Sequence, residues 1–350
     1  MTEYISNKTL IIGLGLIGGS MAKALRQFTA SQQIDGIDND AEVCDLAIKE
    51  KIINQAITLN DDLKSYDLIV LATPLNNFAE IINLISSKIS PDATIFDVGS
   101  VKNLKKITVP KNFVWCHPIA GSHHQGIKYS EGNLFAEKKF WICSDEKNSH
   151  TQKIFSLAQK IKALPDYIDA KLHDEIYGLV SHLPQFLAFL TRNLHDIEFQ
   201  HDFFKRCFRL SNSSEQIWQD IFILNQENLE NFYHEFFDNL IYQIENLRNF
   251  KIDSLALKSE FSGIIDNSFI QDKILIKEFA ENFAIILFNF LIVLSYLKIT
   301  KIKDYQQHAG SGFKDFTALI NLFKISPEIF EKLLAKNLNK IYNLFDQIST

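Results

Sequence analysis

One glycine-rich turn constrains the fold of this chain more than any other feature of its sequence. It reads Gly13-Leu14-Gly15-Leu16-Ile17-Gly18, follows the apolar run 9–12 and precedes a helix predicted over 19–26. In such a GxGxxG turn the first glycine permits a tight bend, the second lets a pyrophosphate approach the backbone, and the third lets helix and strand pack closely. The N–H groups at the start of the helix favour phosphate. The turn therefore predicts a dinucleotide site, the alternative being a glycine-rich turn that binds nothing.

An acidic residue ends the second predicted strand, which covers 33–37. A carboxylate at this position, Asp38, accepts hydrogen bonds from the ribose hydroxyls of NAD and repels the 2′-phosphate of NADP. The next two residues are Asn39 and Asp40, so no arginine follows that would accommodate that phosphate. The sequence predicts NAD as the cofactor.

The rest of the chain divides into two regions that differ in their pattern of apolar residues. Up to about residue 145, short apolar runs alternate with amphipathic stretches, which predicts a parallel sheet covered on both faces. After about residue 165 glycine nearly vanishes and helical periods dominate. The expected architecture is an α/β Rossmann-type NAD-binding domain over residues 1–168, followed by an all-α helical domain over 169–350. Further strands are predicted over 67–72, 93–98 and 113–117, and the main C-terminal helices over 174–196, 214–247, 271–296 and 326–348.

The composition excludes several other classes of protein. Hydrophobic residues make up 46% and charged residues 22%, which does not indicate a disordered tail. The net charge is −6, which does not indicate a nucleic-acid-binding surface. The four cysteines form no CxxC pair; we expect buried thiols and no metal site. The apolar stretch 283–297 is shorter than the roughly 20 residues that a membrane span needs, so we predict a buried core helix. The N-terminus resembles no secretory signal, and a cytoplasmic location without membrane attachment is expected.

Three polar segments follow predicted strands at the edge where this fold places its chemistry. The first is Thr73-Pro74, the second is 97–102, which contains Ser100, and the third starts at His117. We expect Thr73, Pro74 and Ser100 to contact the cofactor, and Ser100 and His117 to meet over the nicotinamide. Histidine is the natural general base near neutral pH. The alternative is a purely structural histidine.

These segments together resemble a known family. The order and spacing of GLGLIGGS, LATP, DVGSVK, HPIAGS and SHLP are similar to those of the prephenate/arogenate dehydrogenase family of tyrosine biosynthesis, and WQDIFILNQ at 218–226 is similar to a later family segment. The resemblance covers about residues 8–247. It implies an oxidoreductase that carries out the NAD-dependent oxidative decarboxylation of prephenate to 4-hydroxyphenylpyruvate, or of arogenate to tyrosine.

The resemblance also assigns roles to residues. His117 would accept the proton of the ring hydroxyl, and Ser100 would hydrogen-bond that hydroxyl and the histidine. Arg209 would bind a substrate carboxylate, for which a guanidinium is suited because it can grip both oxygens. The remaining substrate-binding residues are Ser181, His182 and Gln185, with a structural role for His182 as an equal alternative.

The sequence departs from the family pattern at three places. Gln185 replaces a family histidine, and a neutral amide does not attract the ammonium of arogenate, which favours prephenate. His123 replaces a family acid. The glycine-rich loop before Arg209 is lost over 204–208. These changes also motivate a remote alternative, a non-catalytic module that senses NAD or tyrosine.

The lost loop reappears downstream. Residues 309–317 read AGSGFKDFT, similar to the family's "AGGGFKDFT", with Ala318 where the arginine would be, and 326–330 resemble the segment that ends at Trp218. This self-similarity predicts two copies of a helical unit, 169–247 and 272–350, in a pseudo-dimeric chain. Phe330 or the 310–317 segment would then approach Arg209. A homodimer is the other assembly considered, and a lineage-specific extension with a chance motif is the alternative to duplication.

Overall fold

The computed structural model describes residues 6–31, 33–102, 107–122, 124–144, 146–190, 205, 209–248, 283–299, 308, 310–317 and 334–344. It contains two compact units. The first consists of Met1–Glu175 and Gln216–Leu224, and the second of Ile176–Glu215 and Asn225–Thr350. The predicted boundary at residue 168 lies inside the first unit and stays a prediction. The predictions for His123, Cys207, Ala318 and Phe330 concern residues outside this description.

A five-stranded parallel sheet forms the centre of the first unit, with the strand order β2-β1-β3-β4-β5. Its strands are β1 (Lys8–Ile12), β2 (Gln33–Ile37), β3 (Leu68–Leu71), β4 (Thr94–Asp97) and β5 (Phe113–Val114). Side chains of a strand alternate between the two faces of a sheet. Accordingly, Ile11 joins one apolar cluster, whereas Leu10 and Ile12 join another. The predicted parallel Rossmann-type sheet, buried on both faces, is confirmed.

Four helices accompany these strands along the chain. They are α1 (Leu16–Phe28), α2 (Ala41–Lys49), α3 (Phe78–Ile85) and α4 (Ser149–Lys160). The start of α2 is capped by the Asp40 carboxylate, which accepts from the Glu42 N–H, and that of α4 by Asn148 in a capping box with Thr151. Such caps satisfy backbone donors that the first helical turn leaves unpaired. Cys44, Cys116 and Cys143 are buried free thiols, as predicted.

A second, three-stranded sheet corrects one sequence prediction. It consists of β6 (Cys116–Pro118), β7 (Lys139–Cys143) and β8 (Leu164–Ile168); β6 runs antiparallel and β8 parallel to β7. The single strand predicted over 113–117 is wrong, because the chain leaves the parallel sheet at Trp115. The N–H of Cys116 donates to the Asp97 side chain at 2.8 Å instead of to a strand. His117 therefore lies in the second sheet, opposite Trp141.

The helices that follow are built around a π-helical turn. Helix α5 spans Ala170–Tyr177, the π turn spans Gly178–His182, and α6 spans Leu183–Leu190. A short 3₁₀ turn covers Arg209–Asn212. The helix predicted over 214–247 is two helices, α7 (Glu215–Leu224) and α8 (Gln226–Arg248), with Asn225 between them. Within the first unit, Ile221 and Trp218 of α7 pack with the apolar cluster that contains Leu10 and Ile12 of β1.

The apolar C-terminal helix is buried, as predicted. Helix α9 covers Phe283–Ile299 and packs against α8 in the second unit. Its polar side chains are satisfied locally: Asn289 Nδ2 donates to the Ile285 carbonyl at 2.8 Å, and Ser295 Oγ to the Leu291 carbonyl at 2.7 Å. Helix α10 follows at Ser311–Thr317, and residues 334–344 are also helical. Within the described residues, none of the helices combines the length and hydrophobicity that a membrane crossing demands.

Candidate active site

The glycine-rich turn has the geometry that its sequence predicts. Gly13 has φ +94°, a conformation that favours glycine, and a Cβ there would lie 2.6 Å from the Ala72 carbonyl oxygen. A Cβ on Gly18 would lie 1.9 Å from the Gly13 carbonyl oxygen. These two glycines therefore let β1, the turn and α1 pack without side chains between them.

The middle of the turn faces open space, which is where a bound phosphate needs room. A Cβ on Gly15 would meet no atom within 4 Å, and Gly15 starts α1 without a side-chain cap. The first N–H groups of α1 thus have the arrangement that binds anions at helix N-termini. Thr73 lies beside the turn in space, since a Cβ on Gly13 would be 2.9 Å from its backbone nitrogen. Its Oγ1 is buried and lacks a hydrogen-bond partner among the described residues, while Pro74 is exposed. The residues of this edge fit a dinucleotide.

Asp38 lies beside the same turn and helps to hold it. Its Oδ2 accepts from the Leu14 N–H at 2.7 Å, and its Oδ1 accepts from the Asp40 N–H at 3.0 Å. The carboxylate is half-buried at the end of β2. The structure therefore adds a loop-holding role to the ribose-binding role that the sequence predicts.

Two substitutions separate these roles of Asp38. We expect Asp38→Ala to weaken NAD binding by about tenfold or more, because it removes charge-assisted hydrogen bonds. Asp38→Asn keeps an oxygen for the Leu14 N–H but removes the negative charge, so it should narrow the preference for NAD over NADP with less damage to the turn. The measurement is kcat/KM for both cofactors in each variant. A wild-type protein that already prefers NADP would contradict the assignment.

The predicted general base, His117, contacts a buried histidine that sequence analysis did not single out. Nδ1 of His117 lies 2.9 Å from Nε2 of His173, and Nδ1 of His173 lies 2.8 Å from Oδ1 of Asp174. Both oxygens of Asp174 accept from the Lys102 N–H, at 2.8 and 3.0 Å. His117 is half-buried, whereas the side chains of His173 and Asp174 are almost fully enclosed. The three side chains form one hydrogen-bonded chain that ends on the backbone.

The direction of this chain assigns the proton positions. Desolvation lowers the pKa of His173, an effect that its hydrogen bond to Asp174 opposes, so this imidazole is neutral near pH 7. The carboxylate can only accept, so Nδ1 of His173 carries the proton and its Nε2 accepts one from Nδ1 of His117. Neutral His117 is then left with its lone pair on Nε2. This tautomer fits the predicted role of His117 as general base, which stays a prediction.

A buried ion pair fixes the loop that carries Ser100. Asp97, at the end of β4, accepts from the Gly99 N–H at 2.8 Å and pairs with Nζ of Lys102. Its other oxygen accepts from the Cys116 N–H, directly before His117. Asp97 thus joins the half-buried Ser100 loop to the strand that carries His117. The role of Ser100 at the cofactor and the substrate stays a prediction.

The sequence contained signals for some of these supporting residues. Asp97 and Lys102 both belong to DVGSVK, whose apolar setting predicts burial and therefore pairing. His173 and Asp174 are adjacent in α5, the short helix that follows β8. Nothing in the local pattern indicates that this histidine reaches His117, because the two are 56 residues apart in sequence and meet only in the folded chain.

The second unit gathers predicted substrate residues around the 3₁₀ turn. Gln185 is buried, its Nε2 donates to the Leu210 carbonyl at 2.7 Å, and Ser213 Oγ approaches its Oε1 at 3.4 Å. Gln185 therefore holds the turn that carries Arg209. Sequence analysis expected Gln185 near the substrate and did not anticipate this support.

The π turn carries Ser181 and His182. His182 is buried, and its Nδ1 accepts from the Asn225 amide at 2.9 Å, at the break between α7 and α8. Ser181 is half-buried. π-helical turns are frequent at functional sites. The substrate-binding roles of Ser181 and His182 stay predictions, and the Asn225 contact accounts for the burial of the histidine.

Arg209 makes an ion pair with the C-terminal segment of the second unit. Its Nε and Nη2 both donate to Oδ2 of Asp315, at 2.9 and 2.6 Å. Asp315 lies in α10, within the 310–317 segment. The prediction that this segment approaches Arg209 is confirmed.

Two family models match this sequence. "Prephenate dehydrogenase, nucleotide-binding domain" matches residues 21–165, and "Prephenate dehydrogenase, dimerization domain" matches residues 169–258. Together they account for more than half of the chain.

Individual proteins are similar over the same region. A prephenate dehydrogenase of Lactococcus lactis is 29% identical over 72% of this chain and 71% of its own length, and one of Bacillus subtilis is 28% identical over 71% of each. Among solved structures, prephenate dehydrogenase from A. aeolicus, in complex with hydroxyphenyl propionate and NAD+, has a TM-score of 0.65 and 29% identity. That alignment covers 74% of this chain and 96% of the other.

Proposed function

Since this chain belongs to the prephenate/arogenate dehydrogenase family, we propose that its substrate is prephenate, which it converts to 4-hydroxyphenylpyruvate and CO₂. It is an NAD-dependent oxidoreductase of tyrosine biosynthesis. The observation that carries the proposal is the hydrogen-bonded chain from His117 through His173 to Asp174, which supports a tautomer of His117 with its proton on Nδ1 and its lone pair on Nε2. An acceptor of this kind is what oxidation of an alcohol requires.

The reaction divides between the cofactor and the side chains. When bound, NAD accepts a hydride from the ring carbon that bears the hydroxyl group. His117 Nε2 takes the hydroxyl proton, so that the oxygen electrons can form the carbonyl. Loss of the ring carboxylate as CO₂ then returns its bonding electrons to the ring, which becomes aromatic, and the phenolate oxygen takes the proton back from His117. Ser100 is proposed to hydrogen-bond the reacting hydroxyl.

The cofactor is held by the first unit. We assign its pyrophosphate to the turn Gly13–Gly18, where the space at Gly15 and the uncapped start of α1 fit an anion. Its ribose is assigned to Asp38, and Thr73, Pro74 and Ser100 complete the proposed cofactor residues.

The substrate is proposed to bind through the second unit. Arg209 provides the cation for a carboxylate, and Ser181, His182 and Gln185 are the further substrate residues. Gln185 presents a neutral amide and is already bonded to the Leu210 carbonyl. A neutral residue offers no charge to the ammonium of arogenate, which is the reason for preferring prephenate. Arogenate dehydrogenase remains the second candidate, and a cytoplasmic location stays a prediction.

A steady-state assay tests the proposed function. Prephenate and arogenate are each offered with NAD and with NADP, and NADH or NADPH formation is followed by absorbance. We expect the prephenate and NAD pair to have the highest kcat/KM. A higher value with arogenate would replace the proposed substrate. Absence of turnover with all four pairs, together with NAD binding in calorimetry, would favour the sensing module.

We further propose that the chain is pseudo-dimeric in its helical part, with 169–247 and 272–350 as the two copies. The matched dimerization domain ends at residue 258, before the second copy begins. Two contacts support the pairing of the copies. Helix α9 packs against α8, and Tyr296 Oη donates to the Leu179 carbonyl at 2.9 Å. The second copy would then provide packing that a partner chain would otherwise supply.

Removal of the second copy tests this arrangement. We expect truncation at about residue 270 to give an insoluble or inactive protein, because α9 is apolar on every side and covers α8. Light scattering, circular dichroism and the prephenate assay are the measurements. A truncated chain that is dimeric, folded and fully active would show that the C-terminal residues are a dispensable extension.

A further inference from the structure

We propose that Asp315 is a positioning residue for Arg209, so that the C-terminal segment of the chain completes the substrate-binding residues in cis. The proposal rests on the proposed function. It assigns a part in substrate binding to a residue that lies after the end of the matched dimerization domain at residue 258.

The ion pair engages only one side of the guanidinium. Nε and Nη2 of Arg209 both point to a single oxygen of Asp315. Within the described part of the chain, Nη1 of Arg209 has no protein acceptor, and the side chain is 38% exposed. A guanidinium has five N–H donors in a fixed plane, so its Nη1 and Nη2 edge stays open to a second carboxylate. Asp315 therefore orients Arg209 without occupying the edge that a substrate would use.

Asp315 is itself held by a packed helix. Phe313 and Phe316 of α10 are buried, and their rings lie 5.9 and 5.4 Å from the ring of Tyr296. Gly312 approaches Leu210, in the turn that carries Arg209. The carboxylate is consequently presented from a fixed surface, 17% exposed, and not from a solvated tail.

The Arg209–Asp315 ion pair is expected to contribute more to substrate binding than to the stability of the fold. A partly exposed ion pair of this kind contributes little to folding, because solvent still screens it and both side chains lose freedom. Substrate binding gains more, since an arginine that is already ordered does not have to lose its rotamer freedom when the ligand arrives. Gln185 supports the same turn through the Leu210 carbonyl. One contact thus restrains the backbone next to Arg209 and another its head group.

The competing idea predicts the opposite result. If Asp315 occupied Arg209 as a substitute for the substrate, its removal would free the guanidinium and lower the KM for prephenate. If it positions Arg209, its removal raises that KM. The sign of the change therefore decides between the two.

The test is a double-mutant cycle in the full chain. We expect Arg209→Ala to raise the KM for prephenate by about 10- to 150-fold, the effect of losing a charge-assisted pair. Asp315→Asn and Asp315→Ala should raise it by about tenfold, with Asp315→Glu restoring part of the loss. The KM for NAD and the thermal midpoint should not change. In the Arg209→Ala background, Asp315→Asn should have no further effect, because Asp315 acts through the arginine.

Asp238→Asn is the matched control, since Asp238 is an exposed carboxylate of α8 in the same unit. An unchanged or lowered KM in Asp315→Asn would overturn the proposal, and so would an additive effect in the double variant. A wild-type chain that does not turn over prephenate would reject the proposed function instead. In that case the double-mutant cycle is measured as the Kd of 4-hydroxyphenylpyruvate by calorimetry. If the wild-type chain does not bind this ligand, the positioning role is overturned as well.

Discussion

The substitution His117→Asn is expected to lower kcat by about 10²- to 10⁴-fold, the usual cost of losing a general base. Asparagine can still hydrogen-bond His173, but it cannot accept a proton from the substrate hydroxyl. NAD binding should persist, because the glycine-rich turn and Asp38 belong to other elements of the first unit. The measurements are kcat with prephenate and the Kd of NAD by calorimetry.

The pH profile distinguishes loss of the base from a general disturbance. Protonation of the base produces an acid limb in the wild-type profile of kcat/KM, and this limb should disappear in His117→Asn. His124→Asn is a matched control, because His124 is an exposed histidine stacked on Tyr129 in the following loop. A His117→Asn enzyme within threefold of wild type at every pH would remove His117 from the mechanism.

The elements around the cofactor could be predicted because their signals are local. The Gly13–Gly18 turn, strand β2 and Asp38 lie within one βαβ unit, where apolar runs and glycine positions specify the geometry directly. Helix α9 was equally predictable, since a helix that is apolar on every side has to be buried. Both kinds of signal are read from residues that are neighbours in sequence.

The residues that sequence analysis missed depend on contacts between distant segments. Strand 113–117 had to be split because the Asp97 carboxylate, and not a neighbouring strand, accepts the Cys116 N–H. The split places His117 in the second sheet and brings it to His173. Asp315 was recognised as part of a repeated segment, but its bond to Arg209 depends on the packing of α10. Periodicity contains no information about such pairings.

Asp174 provides the most specific test of the hydrogen-bonded chain that orients His117. Its carboxylate accepts from His173 and from the Lys102 N–H, so both of its oxygens face donors. Oδ1 accepts from both donors, whereas Oδ2 accepts from the Lys102 N–H alone. Asp174→Asn removes the negative charge that holds the proton on Nδ1 of His173, and an NH₂ group at the Oδ1 position also repels that proton. The proton of His173 then moves to Nε2, which donates to Nδ1 of His117. The proton of His117 moves in turn to its Nε2, and the base is lost.

We therefore expect Asp174→Asn to lower kcat by about 10²- to 10⁴-fold, as found where a carboxylate that orients a catalytic histidine is replaced by its amide. The KM for prephenate should change little, because Arg209 is not affected. Asp169→Asn is the control: Asp169 accepts from the Leu172 N–H near the start of the same helix, a role that asparagine also fills. Nitrogen-15 NMR of the histidine rings reports the tautomers directly. A variant with wild-type kcat, or one in which Nε2 of His117 is still unprotonated while kcat has fallen, would show that Asp174 does not act through the orientation of His117.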